Sequence, residues 1–146
     1  MHLAIGSDHA GLELKAELVE YLRSLGHEVK DHGTHDSASI DYPDYAAKVA
    51  RSVAKGDSEL GFLICGSGQG MCMAANKIRG VRAAVCSDTF SAHAVREHNN
   101  ANVLCLGQRV VGPGLALEIA DTFLKAEFEG GRHARRVGKI MDLEGR

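Results

Sequence analysis

Residues 60–79 read LGFLICGSGQGMCMAANKIR. Leu60–Cys65 is an apolar run of strand length, the pattern of a strand buried on both faces. Gly66-Ser67-Gly68-Gln69-Gly70 follows at once, and Met71–Ile78 then carries helix-forming residues. Strand, glycine-rich turn and helix start, in that order, gather free backbone N–H groups around one point at the positive end of a helix. Such a nest suits an anion, whether a phosphate or an oxyanion formed during a reaction. Cys65 stands at its lip, where a thiol is drawn towards the thiolate that acts as base or nucleophile. The plainer reading is a tight turn with Cys65 as a buried strand end.

Three known loop types fail here. A dinucleotide-binding fingerprint requires glycine at position 71, where Met71 stands. A Walker loop requires Gly-Lys-Ser/Thr, which is missing. A cysteine phosphatase loop wants arginine six residues after its cysteine, and Met71 again holds that place.

Outward from this stretch, strands and helices alternate. Leu3–Gly6 predicts a first strand, and a helix runs from the loop Ser7–Gly11 to about Leu25, with Leu14, Leu18, Leu22 and Leu25 on one face and Gly26 as its stop. Glu28–Asp31 is a short strand. A polar segment leads to Pro43, which suits the first turn of a helix with Ala46, Val49, Ala50 and Val53 as its core stripe. Val81–Cys86 is a fourth strand, Thr89–Glu97 a helix capped by Ser87 or Asp88, and Asn102–Leu106 a fifth strand. Helices from Pro113 to about Phe128 and from Arg132 to about Leu143 close the chain. This alternation implies an α/β fold: a parallel sheet covered on both faces and joined by right-handed crossovers.

The chain of 146 residues reads as a single domain, 1–146, without linker or internal repeat. Its net charge of −2 and pI near 6.4 carry no basic excess for nucleic acid or an anionic membrane. No apolar run approaches a membrane span, and the strand at Leu3 leaves no room for a leader, so a cytoplasmic location is expected. The four cysteines lack the close pairs of a zinc site and read as free thiols in a reducing compartment, with Cys72 as packing. No ligand set for a metal stands out, and no cofactor is expected.

In doubly wound sheets ligands bind at the carboxyl ends of the strands. That rule gathers Asp8 and His9 after the first strand, Cys65 and its loop after the third, and Gly107-Gln108-Arg109 after the fifth. Each has a structural reading as well. Asp8 suits a helix cap, and His9 a solvated loop. His98 and Asn99 end a helix, where histidine favours the dipole and asparagine the left-handed turn. Arg132 and Arg136, one helical turn apart, could be a solvated basic face.

GSDHAG near the start, DYPDYA, ICGSGQGMCMAANK, REHNNANVLCLGQRVVG and EGGRHARRV, in this order along nearly the whole chain, resemble type B ribose-5-phosphate isomerases. These belong with the galactose-6-phosphate isomerase subunits in one sugar-phosphate isomerase family. The resemblance implies a Rossmann-like three-layer αβα sandwich with a five-stranded parallel sheet and a C-terminal helix that reaches a neighbouring subunit. It implies metal-free interconversion of ribose 5-phosphate and ribulose 5-phosphate, and a homodimer with shared sites, pairing into tetramers being left open. By position, Cys65 is similar to the family's base and His98 to the residue that opens the sugar ring. Gly66, Ser67, Gly68, Gln69 and Gly70 resemble the oxyanion loop. Asp8, His9, Asn99, Arg109, Arg132 and Arg136 match substrate-binding positions, and His133 is a lesser candidate beside them. Met71 occupies the place where one branch of the family has a glutamate base, which puts this chain in the cysteine branch.

Two rival functions remain at this level. One is isomerisation of a six-carbon sugar phosphate, such as allose 6-phosphate or galactose 6-phosphate, with the segment Ile40–Tyr45 or the helix after Asp88 setting pocket depth. The other is a sugar-phosphate-binding regulator without catalysis, against which the joint presence of Cys65, His98 and the arginines argues.

Overall fold

The computed structural model describes residues 1–145. Five strands, β1 (His2–Ser7), β2 (Glu28–Asp31), β3 (Leu60–Cys65), β4 (Ala83–Val85) and β5 (Val103–Gly107), form one sheet in the order β2-β1-β3-β5-β4. Every pairing is parallel. Six helices accompany them: α1 (Leu12–Ser24), α2 (Tyr42–Ala54), α3 (Gln69–Ala75), α4 (Thr89–Glu97), α5 (Pro113–Lys125) and α6 (Arg132–Asp142).

Side-chain alternation divides the core into two layers. Phe62 and Ile64 of β3 join Leu3, Ile5, Leu104 and Leu106 beneath α1 and α5, where Leu14, Leu18, Leu22, Ile119 and Phe123 are buried. Leu63 and Cys65 face the other way, with Ala4, Val103 and Cys105, towards Val49 and Val53 of α2 and Met71 of α3. With both faces covered, β3 is buried along its whole length, which is why it reads as an uninterrupted apolar run. Phe62 and Phe123 meet with ring centroids 6.0 Å apart. Truncating either to alanine should cost about 3–5 kcal/mol.

Four boundaries differ from the sequence expectation, most with a local cause. Leu25 is exposed rather than part of the α1 stripe, because the helix ends at Ser24 and Gly26 (φ +90°) turns the chain away. The edge strand β4 is shorter than Val81–Cys86: the N–H of Arg82 donates to Oδ1 of Asn102 at 2.7 Å instead of continuing the ladder. Its neighbour α3 begins at Gln69 and stops at Ala75. Asn76 then pairs with β4, its Nδ2 donating to the Ala83 carbonyl at 2.9 Å and its Oδ1 accepting from the Ala83 N–H at 2.8 Å. Finally, α5 stops at Lys125, where Ala126 becomes extended.

One buried charge holds the connection after β2. Lys15 is 2% exposed, and its ammonium donates to Oδ1 of Asp31 at 2.8 Å and to the Thr34 carbonyl. Replacing it by alanine would strand both acceptors, at a cost of about 2–3 kcal/mol.

The strand order reverses between β1 and β3, since β1 leads to β2 on one side while β3 and the rest lie on the other. That reversal opens a crevice above the carboxyl ends of β1 and β3.

Candidate active site

The crevice is a cleft of about 500 Å³ lined by Asp8, His9, Tyr42, Cys65, Gly66, Ser67, Gly70 and Arg109, among others. A larger hollow of about 730 Å³ lies at the opposite, amino-terminal ends of the strands, by His2, Glu28 and Ser58, where a doubly wound sheet offers no strand-end loops of this kind.

Backbone contacts bring the lining residues together. The Asp8 N–H donates to the Ile64 carbonyl at 3.2 Å, which sets the loop after β1 beside Cys65. Gly11 makes this approach feasible: a Cβ there would stand 2.5 Å from the Ile64 oxygen. Asp8 is both cap and lining residue, as Oδ1 accepts from the N–H groups of Ala10 at 2.9 Å and Gly11 at 3.1 Å. From the third strand-end, the Gln108 N–H donates to the Cys65 carbonyl at 2.9 Å and the Arg109 N–H to the Gly66 carbonyl at 3.0 Å. Gln108 also accepts from the Leu14 N–H at 3.0 Å, linking this loop to α1.

Cys65 is buried but lines the cleft. The Gly68 N–H donates to its sulfur at 3.0 Å, made possible by a left-handed Gly68 (φ +81°). One N–H of the expected nest is therefore spent on the sulfur itself. Gln69 N–H turns to Oγ of Ser67 at 3.3 Å, and the first helical bond of α3 runs from Cys72 N–H to the Gly68 carbonyl. The N–H groups of Gly70 and Met71 precede that bond. Arg109 lies across the loop, its Nη1 3.3 Å from where a Cβ on Gly66 would stand.

Tyr42, missed as a site residue from sequence, lies so close to Gly70 that a Cβ there would stand 2.4 Å from the ring. The only hint was its place in DYPDYA, within the segment read as governing pocket depth.

His98 and the C-terminal arginines do not line this cleft. His98 follows α4 and stacks on His133, with ring centroids 4.4 Å apart and planes 14° from parallel. Nε2 of each imidazole faces Glu129, at 3.5 Å for His98 and 3.7 Å for His133. Desolvation first, then His98 and Arg132, push His133 below the ordinary imidazole range. Arg132 and Arg136 are exposed on α6 beside it, and Asn99 lines a separate groove with Arg82 and Met141. Among the described residues no hydrogen bond or ion pair joins this second group to the Cys65 cleft. Sequence reasoning missed Glu129, although its spacing of four residues from His133 was the available signal.

The remaining thiols divide by environment. A hydrogen bond from Cys105 brings Cys72 down to about 7, while burial pushes Cys86 up to about 11, and the Cys72 contact with burial raises Cys105 well above the ordinary thiol range. Asn76 Nδ2 lies 3.5 Å from the Cys72 sulfur, a second donor. Cys72 is thus more than the packing residue the sequence suggested.

A three-layer α/β sheet with a thiol, a carboxylate, an imidazole and a guanidinium at its switch point defines an enzyme of small anionic substrates. The chain belongs to the ribose/galactose isomerase family, which it matches over residues 3–140. It is 51% identical over 144 residues to ribose-5-phosphate isomerase B of Escherichia coli, covering 99% of this chain and 97% of that one. The fold is similar to that of Clostridium thermocellum ribose-5-phosphate isomerase B, with a TM-score of 0.98, 55% identity and coverage of 99% and 98%. It is also similar to the Mycoplasma genitalium enzyme solved with bound ribulose 5-phosphate, with a TM-score of 0.96, 48% identity and coverage of 99% and 97%.

Proposed function

We propose that this chain interconverts D-ribose 5-phosphate and D-ribulose 5-phosphate through an enediolate, without a metal. The observation that carries this reading is Cys65, held by the Gly68 N–H at the mouth of a cleft shared with Asp8, His9 and Arg109, in a chain about half identical to such isomerases over its full length. In the aldose-to-ketose direction Cys65 takes the proton from C2, leaving an enediolate. The same proton returns at C1 while a hydroxyl proton moves from O2 to O1. Backbone N–H groups of the 66–70 loop face the oxygen on which charge rises. His98 opens the furanose by moving a proton from the anomeric hydroxyl to the ring oxygen. Arg132 and Arg136 grip the phosphate with help from His9 and Arg109, which turns binding energy into orientation.

The reading includes a homodimer in which Cys65 of one copy works with His98 and the arginines of another. It is supported by the separation of the two groups and by exposed Met73, Phe90 and Val110, large apolar side chains that a partner would cover. The free cysteines suit a reducing cytoplasm, and among the described residues no helix is long and apolar enough to cross a membrane.

The test is incubation with ribose 5-phosphate after dialysis against EDTA, followed by a ketose colour reaction. Turnover at full rate is expected. No turnover with clear binding would favour the regulator, and a loss restored only by added metal would refute the metal-free mechanism.

A further inference from the structure

We propose that the hollow at the amino-terminal ends of the strands binds a small polyphosphate group, carried by a nucleoside triphosphate or free in solution. It measures about 730 Å³, and ligand pockets run from about 300 to 1,000 Å³. It lies at the other end of the sheet from the Cys65 cleft. Its lining alone carries the proposal, independently of the isomerase reading.

Lys30 of β2 lines the hollow, as do Lys48 and Arg51 of α2 and Lys55 at the cap of that helix. Spaced by three and four residues, Lys48, Arg51 and Lys55 share one helix face. Their stems leave the backbone along a rail of about 10 Å. Among the described residues none of the four cations forms an ion pair. Lys48 rests its ammonium 4.6 Å from the centre of the Tyr45 ring, a contact that neutralises no charge. In a chain of net charge −2, four such cations around one hollow make a local positive field. Three features oppose an anion there: Glu28, Asp57 and the carboxyl end of α2, worth about half a charge. Glu28 is engaged by His2 at 2.9 Å, and the cations outweigh all three.

The lining also holds two buried hydroxyls. Ser52 and Ser58, 8% and 5% exposed, hydrogen-bond to each other at 2.9 Å. One hydroxyl proton serves that bond, which leaves the other for an acceptor in the hollow. Fixed donors of this kind, with cations from two elements, suit phosphate oxygens. A single phosphate is too small to reach cations strung over about 10 Å, whereas a chain of phosphates engages several at once. His32, another lining residue, supplies a reporter. Burial first, then Lys30, push its imidazole below the ordinary range, with Lys48 acting the same way and Asp31 opposing them. An anion seated between Lys30 and Lys48 raises it again.

The experiment is calorimetric titration of the whole chain with sodium tripolyphosphate at low ionic strength. One saturable site per chain is expected, weakened about tenfold by Lys48→Gln and by Arg51→Gln, and tightened by Asp57→Asn. Inorganic phosphate should bind at least about tenfold more weakly than tripolyphosphate. The ring-proton resonances of His32 should titrate at higher pH once the site is filled. Magnesium-free ATP serves to separate the sources: affinity at least equal to that of tripolyphosphate assigns a nucleotide, and much weaker affinity assigns free polyphosphate. Two controls should bind as the parent does, the double variant Arg132→Gln/Arg136→Gln and Lys77→Gln, which lies in the groove beside β4. Circular dichroism checks each fold, and Lys30→Gln replaces any variant that unfolds. The site is overturned by absence of saturable binding, by equal affinity for phosphate, or by parent-like affinity in the folded Lys48→Gln and Arg51→Gln chains. Loss of binding in the Arg132→Gln/Arg136→Gln chain would overturn it too, by placing the anion on α6. None of these outcomes depends on whether the chain isomerises ribose 5-phosphate.

Discussion

The sulfur of Cys65 accepts the N–H of Gly68 at 3.0 Å, so the residue three positions on in the loop fixes where the thiol points. Cys65→Ala loses that contact and, on the proposed mechanism, the base as well. Stability should fall by only about 1 kcal/mol, one hydrogen bond's worth, with sugar-phosphate binding retained. Turnover should drop about 10²-fold or more, which steady-state assays with a melting curve would establish. Activity within a few-fold of the parent would sink the assignment.

Cys72 should be the faster thiol to alkylate at neutral pH, ahead of Cys86 and Cys105, because Cys105 holds it at about 7 and burial holds Cys86 at about 11. Mass spectrometry of iodoacetamide-treated protein from pH 6 to 9 would show the order. Lowering a thiol from its ordinary 9 to about 7 also adds stability that is present above pH 9 and lost as pH falls through 7. A Cys72→Ser chain should lack that rise between pH 7 and 9. Inactivation studies aimed at Cys65 therefore belong in the Cys72→Ser background, where substrate should protect. Equal labelling of Cys72, Cys86 and Cys105 at pH 7 would contradict the assignment.

On the proposed reading, in which Arg132 and Arg136, one turn apart, grip one dianion, Arg136→Ala should raise KM for phosphorylated sugars more than it lowers kcat. Ribose and ribose 5-phosphate measured side by side give the answer. A variant that discriminates between them as well as the parent would show that Arg136 leaves the phosphate alone.

On the proposed mechanism, His98→Asn separates ring opening from proton transfer. Ribose 5-phosphate is largely a closed furanose, whereas ribulose 5-phosphate is acyclic. Imidazole exchanges protons near neutral pH and so suits the opening step. The first turnover should slow more with ribose 5-phosphate than with ribulose 5-phosphate. Equal losses in both directions at unchanged stability would assign His98 a different task.

The sheet was legible because period and composition agree. Leu60–Cys65 is apolar throughout, since helices cover both its faces, and the glycines at 11, 66, 68 and 70 announce close approaches that the structure contains. Asp8, Cys65 and Arg109 followed from the strand-end rule alone. Side-chain replacement of backbone pairing was not legible: Asn102 shortens β4 and Asn76 pairs with its first residue by bonding main chain, which no periodicity records. Nor was the union of His98 with Glu129 and His133, which depends on how two glycines at positive φ turn the chain into α6. The environment of Cys72 depends on Cys105, thirty-three residues away and on another element.

The distance between the Cys65 cleft and the His98 group has a genetic consequence under the shared-site reading. Two impaired alleles, Cys65→Ala and His98→Asn, assayed with ribose 5-phosphate, damage different halves of each site. In a mixed dimer one site collects both lesions, and the other collects none. Co-expressed at equal levels, the two alleles should rescue each other to about a quarter of parental activity, since half the dimers are mixed and each has one intact site. Two alleles within the cleft, such as Cys65→Ala and Asp8→Ala, should not complement.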